Sequence, residues 1–127
     1  MRFTLNEDAR DKFDCIFCPT DARKGLGLVG LATGGNSGHQ AVNLAFLLGA
    51  KRIWLLGFDM SADKSSHNHF FGNHKGRDLT NPNRNLYSNW RRKFEEMVLL
   101  IETRNAEVIN YTRKTALNIK RGCVDDL

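Results

Sequence analysis

The stretch TGGNSGHQAVNLAFLLGAKRIWLLGFDM, Thr33 to Met60, decides how the rest of the chain is read. It opens on glycines and small polar residues, runs through an apolar segment to Gly49, and closes on a second apolar run ending Gly57-Phe58-Asp59. Asn36 and Ser37 are helix-capping types, because a short side-chain oxygen can accept an N–H group that the first turn leaves free. From Gly38 to Leu48 the spacing predicts a helix, with Ala41, Leu44, Ala45 and Leu48 along one face. Val42, Phe46 and Leu47 make it apolar almost all round, so a buried helix is expected. Gly49 stands where a helix-ending glycine belongs. Ile53 to Phe58 then reads as a continuous apolar strand, as in a parallel sheet covered on both faces.

Outward from this block the chain alternates. Residues 1–12 are polar and fit a helix or an arm, and Phe13 to Cys18 is a short apolar strand candidate closed by Pro19. Residues 19–38 hold six of the eleven glycines, which is loop chemistry, although Leu26 to Leu31 could contain a strand. Residues 59–86 are polar and long for a loop, a length associated with function or mobility. Leu86 to Arg104 predicts an amphipathic helix with Tyr87, Trp90, Phe94, Met97, Val98 and Ile101 inward. Glu107 to Tyr111 is a second parallel strand, and Lys114 to Ile119 fits a helical turn or two. Trp54 and Trp90 are both expected to be mostly buried. The order loop–helix–strand–loop–helix–strand predicts an α/β fold: a Rossmann-like partial parallel sheet with flanking helices, in a single domain over residues 1–127.

Bulk properties narrow the function classes without choosing one. Nineteen Lys+Arg against 14 Asp+Glu give +5, which suits an anionic ligand, suits nucleic acid less specifically, and equally describes a mildly basic surface. No apolar run approaches the roughly 20 residues of a membrane helix, and the charged N-terminus does not read as a secretory signal, so the expected compartment is the cytoplasm. Cys15, Cys18 and Cys123 are an odd count, against a disulfide framework. Cys15-Ile-Phe-Cys18 lacks a second ligand pair, so structural thiols around a buried strand are expected, with a redox or metal role as the alternative.

The site reading follows from the opening stretch. Glycines before a helix N-terminus let a phosphate or carboxylate approach free N–H groups at the positive end of the dipole. Gly35, Asn36, Ser37 and Gly38 are therefore candidate ligand contacts, with Ser37 able to cap and to donate. Asp59 follows the carboxyl end of its strand, where open α/β sheets place their ligand crevice, so both features could face one cleft. The same residues serve equally well as cap and turn alone. His67, His69 and His74 lie within eight residues in SSHNHFFGNHKG, and could ligate a metal, supply a general base, or sit in a solvated loop. No bound metal is expected, since His67 and His69 would point to opposite sides of an extended segment.

NSGHQAVNLAFLLGAKRIWLLGFDM, HFFGNH and EVINYTRKTAL together resemble the MptE-like family and, more distantly, the small bacterial CMP-sialic-acid-dependent sialyltransferases. The resemblance spans roughly residues 25–120 and is strongest to short phage-encoded members, which implies a host cytoplasm. It implies a nucleotide or nucleotide-sugar ligand, held by Ser37 and Gly38, with Gly57, Phe58 and Asp59 as the G-x-D block. His74 maps onto the catalytic base, with Asn73 as one extra residue before it. Ser61 and His67 stand where the sialyltransferases hold phosphate with two tyrosines, which makes His67 a candidate phosphate contact. The resemblance further implies no metal, and an N-terminal half supplied by a separate chain or replaced by homodimerisation. Its MptE-like side implies pterin diphosphokinase chemistry instead. The contrasting reading is a non-catalytic phage module that binds a protein partner or nucleic acid.

Overall fold

The computed structural model describes residues 2–21, 25–62, 73 and 81–126. In chain order the elements are β1 (Phe3–Thr4), α1 (Glu7–Phe13), β2 (Ile16–Phe17), α2 (Ser37–Leu47), β3 (Arg52–Leu55), α3 (Arg84–Glu102), β4 (Glu107–Asn110) and a closing 3-10 turn, Val124–Asp126. Among the described residues the chain is mixed α/β, with two parallel two-stranded sheets, β1–β2 and β3–β4.

Each helix begins on an asparagine. Asn6, Asn36 and Asn83 accept, through the side-chain oxygen, the N–H of the third helical residue: Ala9 at 3.1 Å, His39 at 2.9 Å and Leu86 at 2.9 Å. Each cap satisfies one of the donors that a first turn leaves free. Asn36, and not Ser37, is therefore the cap of α2. Asp14 ends α1 in the left-handed region at φ 49° and turns the chain into β2, which runs parallel to β1 with Phe3 opposite Ile16.

The core forms on one face of the β3–β4 sheet. Phe94, Met97, Val98 and Ile101 follow the 3.6-residue repeat of α3 and are buried against Ile53, Leu55, Val108, Val42, Leu26 and Leu117. Full burial of side chains of this size stabilises by roughly 1.5–3 kcal/mol each, before the entropy of ordering is set against it. The register Ile53–Val108 and Leu55–Asn110 brings the inward side chains of both strands level under α3.

Several expectations are corrected. The strand in Phe13 to Cys18 is only Ile16–Phe17, because Phe13 completes α1, and Ile16 is exposed instead of buried. Cys15 and Cys18 flank that extended pair as half-buried free thiols, so the strand between them is not the buried one expected. Trp54 is 53% exposed and Leu56 62%, so β3 is covered on one face only. Trp90, by contrast, is mostly buried, as its place on the inward stripe of α3 implies. The buried face of α2 is His39, Val42 and Asn43, whereas Ala41 and Leu48 of the predicted face are exposed. Leu26 to Leu31 forms no strand, only a bridge from Leu31 to Thr20.

Lys114 to Ile119 forms no helix, because tertiary bonds take its amides. Ala116 N–H donates to the Asp59 carbonyl at 2.8 Å, and Asn118 N–H to the Glu95 carboxylate at 2.7 Å. Beyond it, Asn110 N–H donates to Lys120 and Gly122 N–H to Asn110, which lays residues 120–122 along the outer edge of β4. Among the described residues no helix is long and apolar enough to cross a membrane.

Candidate functional site

The carboxyl end of β3 is held open by the segment that follows β4. Phe58 N–H donates to Thr112 Oγ1 at 2.8 Å, and Thr115 Oγ1 donates to the Phe58 carbonyl at 2.6 Å. With the Ala116–Asp59 bond, three hydrogen bonds fix Phe58 and Asp59 after the strand has ended. Met60 then takes φ 53°, a left-handed conformation that a non-glycine residue adopts only where its surroundings impose it. Below, the Phe58 ring meets Phe94 at 5.5 Å between centroids.

Facing this strand end is the start of α2. Asn36 and Gly38 from the helix start, Gly57 to Ser61 from the strand end, and Tyr87 and Trp90 from α3 line one cleft of about 460 Å³. Tyr87 and Trp90 form its aromatic wall, edge to face at 5.5 Å. Gly35 stands behind that wall at φ 85°, and a Cβ there would lie 3.1 Å from Trp90 Nε1. Burial pushes the Tyr87 hydroxyl above its ordinary pKa, and the nearby Asp59 charge pushes it further. The phenol thus stays protonated at neutral pH and can donate. Asn36 Nδ2 is buried and has no hydrogen-bond partner among the described residues.

Of the predicted contacts, Asn36, Gly38 and Asp59 meet in this cleft, and Gly35 touches its wall from outside. Ser37 does not join them. It lines a separate cavity of about 540 Å³ with Phe3, Leu5, Leu31 and Leu44. His67, His69 and His74 lie outside the described residues. Among those that are described, no group of three or more His, Cys, Asp or Glu could hold a metal.

Sequence reasoning missed Thr112, Thr115, His39 and Asn43. The threonines lie in EVINYTRKTAL, but nothing in a single sequence marks a hydroxyl that will bond a strand 54 to 57 residues away. His39 and Asn43 are four apart on α2, a spacing that puts both on one face. Both are fully buried there.

Comparison with known proteins found no matching family model, no matching curated protein and no matching solved structure.

Proposed function

We propose that the chain is a Rossmann-like, nucleotide-binding domain of the transferase kind, acting on a nucleotide or nucleotide-sugar in the cleft between α2 and the end of β3. One observation carries the reading: the N-terminus of an 11-residue helix and an aspartate just past a parallel strand share one cleft with an aromatic wall. An α2 start without acidic residues leaves its positive dipole end available to a phosphate. Asn36 takes the His39 amide, which leaves the Ser37 and Gly38 amides as donors. Asn36 Nδ2 is a further donor that a bound acceptor would satisfy after a small shift. Asp59 suits ribose or sugar hydroxyls, and Trp90 with Tyr87 offers a surface for a base or sugar ring. The volume of about 460 Å³ suits a ligand of nucleotide size.

In this reading His74 is the general base and His67 a phosphate contact, roles that rest on the sialyltransferase-like motif alone. A base of that kind contributes roughly 10²–10⁴-fold in rate. The test is titration with CMP and UDP, followed by amide NMR, with inorganic phosphate as the control. The Ser37 and Gly38 amides should shift on CMP addition, and their indifference at millimolar CMP would refute the reading. The second reading, a non-catalytic module docking a protein partner, is favoured by the exposed Trp54 and Leu56, on a strand that pairs with β4 alone among the described residues. It predicts a stable complex with no nucleotide response.

A further inference from the structure

We infer that Asn43 and His39 are positioning residues that clamp the glycine-rich loop into the shape the cleft requires. The clamp closes on Ala32. Its N–H donates to Asn43 Oδ1 at 2.8 Å, and its carbonyl accepts from His39 Nδ1 at 3.0 Å. Asn43 also grips the loop five residues earlier: Gly27 N–H donates to Oδ1 at 3.0 Å, and Nδ2 donates back to the Gly27 carbonyl at 3.0 Å. Both side chains are fully buried, and together they satisfy four backbone groups of a loop that forms no strand ladder of its own. A buried loop backbone without such partners is costly, so these bonds decide which loop conformation survives.

The geometry ties the clamp to the cleft. Only Thr33, Gly34 and Gly35 separate the clamped Ala32 from the Asn36 cap, and Asn36 N–H donates to the Thr33 carbonyl at 3.2 Å. That short turn is thus fixed at both ends by α2 itself. Gly34 sits directly over the imidazole, where a Cβ would lie 2.1 Å from His39 Cγ. Shifting Ala32 would carry Gly35 off Trp90 and turn the first amides of α2 away from the cleft. The ligand part of this inference rests on the nucleotide reading, whereas the clamp itself does not.

The experiment compares wild type, Asn43→Leu and Asn43→Asp by amide hydrogen exchange and by CMP titration. Leu keeps the branched outline at a larger volume and removes all three hydrogen bonds of Asn43, whereas Asp keeps the two accepted bonds and loses the donated one. In wild type the Gly27 and Ala32 amides should exchange as slowly as the core amide of Val98. Asn43→Leu should lose at least tenfold of their protection relative to Val98 and weaken CMP at least tenfold, and Asn43→Asp, whose second oxygen meets the Gly27 carbonyl in place of a donor, should lose more protection at Gly27 than at Ala32. If Asn43→Leu does not fold, the wild-type exchange rates still decide. Gly27 and Ala32 exchanging like open loop amides overturns the clamp, as does an Asn43→Leu protein with wild-type protection and affinity. Wild type that binds no CMP but protects both amides refutes the nucleotide reading and leaves the clamp standing.

Discussion

Replacing Gly38 with alanine sets two effects of known size against each other. Gly38 is the second residue of α2 and does not have a left-handed φ, so helix propensity alone favours alanine by up to about 1 kcal/mol. Against this, the new Cβ would stand 2.8 Å from Phe58 Cε1 and 3.2 Å from Asn36 Oδ1. The phenyl cannot retreat inward, because Phe94 behind it is fully buried. It must swing into the cleft, and overpacking of this kind costs about 1–3 kcal/mol. The net expectation is a loss between zero and about 2 kcal/mol. For a domain of this length each kcal/mol lowers Tm by roughly 3–6 °C, so the melting point should fall by up to about 10 °C. CMP affinity should fall together with it, since the ring then occupies ligand space and the Cβ screens the Gly38 amide. A circular dichroism melt and a CMP titration on the same sample read both quantities. A variant that melts higher and binds CMP as wild type does would mean that Gly38 is an ordinary helix residue, and would refute the cleft assignment.

Burial pushes the His39 imidazole below its ordinary pKa, an effect that the backbone carbonyls of Ala32 and Lys93 partly offset and that the Lys93 charge slightly reinforces. The unfolded chain therefore takes up the proton first: stability should be complete above pH ~6.5 and decline as pH falls from there through the depressed folded value, a slope that His39→Gln removes in urea melts at pH 5 to 8. Phe94→Ala should cost about 3–5 kcal/mol, because the ring is fully buried between His39 and Phe58. Trp54→Ala should cost only about 0.5–1.5 kcal/mol, chiefly its edge-to-face contact with Tyr111, and equal losses at both sites in denaturant melts would contradict the one-sided sheet. The Glu107 carboxylate is held below its ordinary range chiefly by the hydrogen bond from Lys120, with Arg52 adding to it. Its contribution is therefore present above the usual carboxylate pKa and lost as pH falls through the depressed value, so Glu107→Gln should lower stability slightly at neutral pH, leave the strongly acid end unchanged and flatten the limb between them.

What could be read in the sequence was whatever a long repeat or a backbone rule enforces. The stripe from Phe94 to Ile101 repeats over about two turns of a five-turn helix, and only one packing of α3 buries it. The two apolar runs on either side of α3 had to pair in parallel, because a helix of 19 residues separates them. The polar side of α2 could not be read this way. His39 and Asn43 look like solvent residues until the loop backbone that they bond is in place, and that pairing spans up to 16 residues. Lys114 to Ile119 has helical composition, but its amides find partners on Asp59 and Glu95 instead of within a helix. Trp54 was misjudged because an apolar run carries no sign of which sheet face has a cover. Capping chemistry and the strand-end rule placed Asn36, Gly38 and Asp59 around one cleft, whereas the direction of Ser37 depended on whether Asn36 or Ser37 took the cap.

The run of residues 120–122 along β4 has a consequence for how copies of this molecule can meet. It takes both outward backbone groups of Asn110 at the end of β4, so among the described residues the β3–β4 sheet offers a neighbour chiefly the side where Arg52 and Trp54 direct their backbone groups. An object with one adhesive side and one blocked side can make a couple but cannot make a row. Self-association through this sheet is therefore self-terminating: light scattering should rise to a plateau with concentration, and a chain shortened before Lys120 should keep growing into larger species.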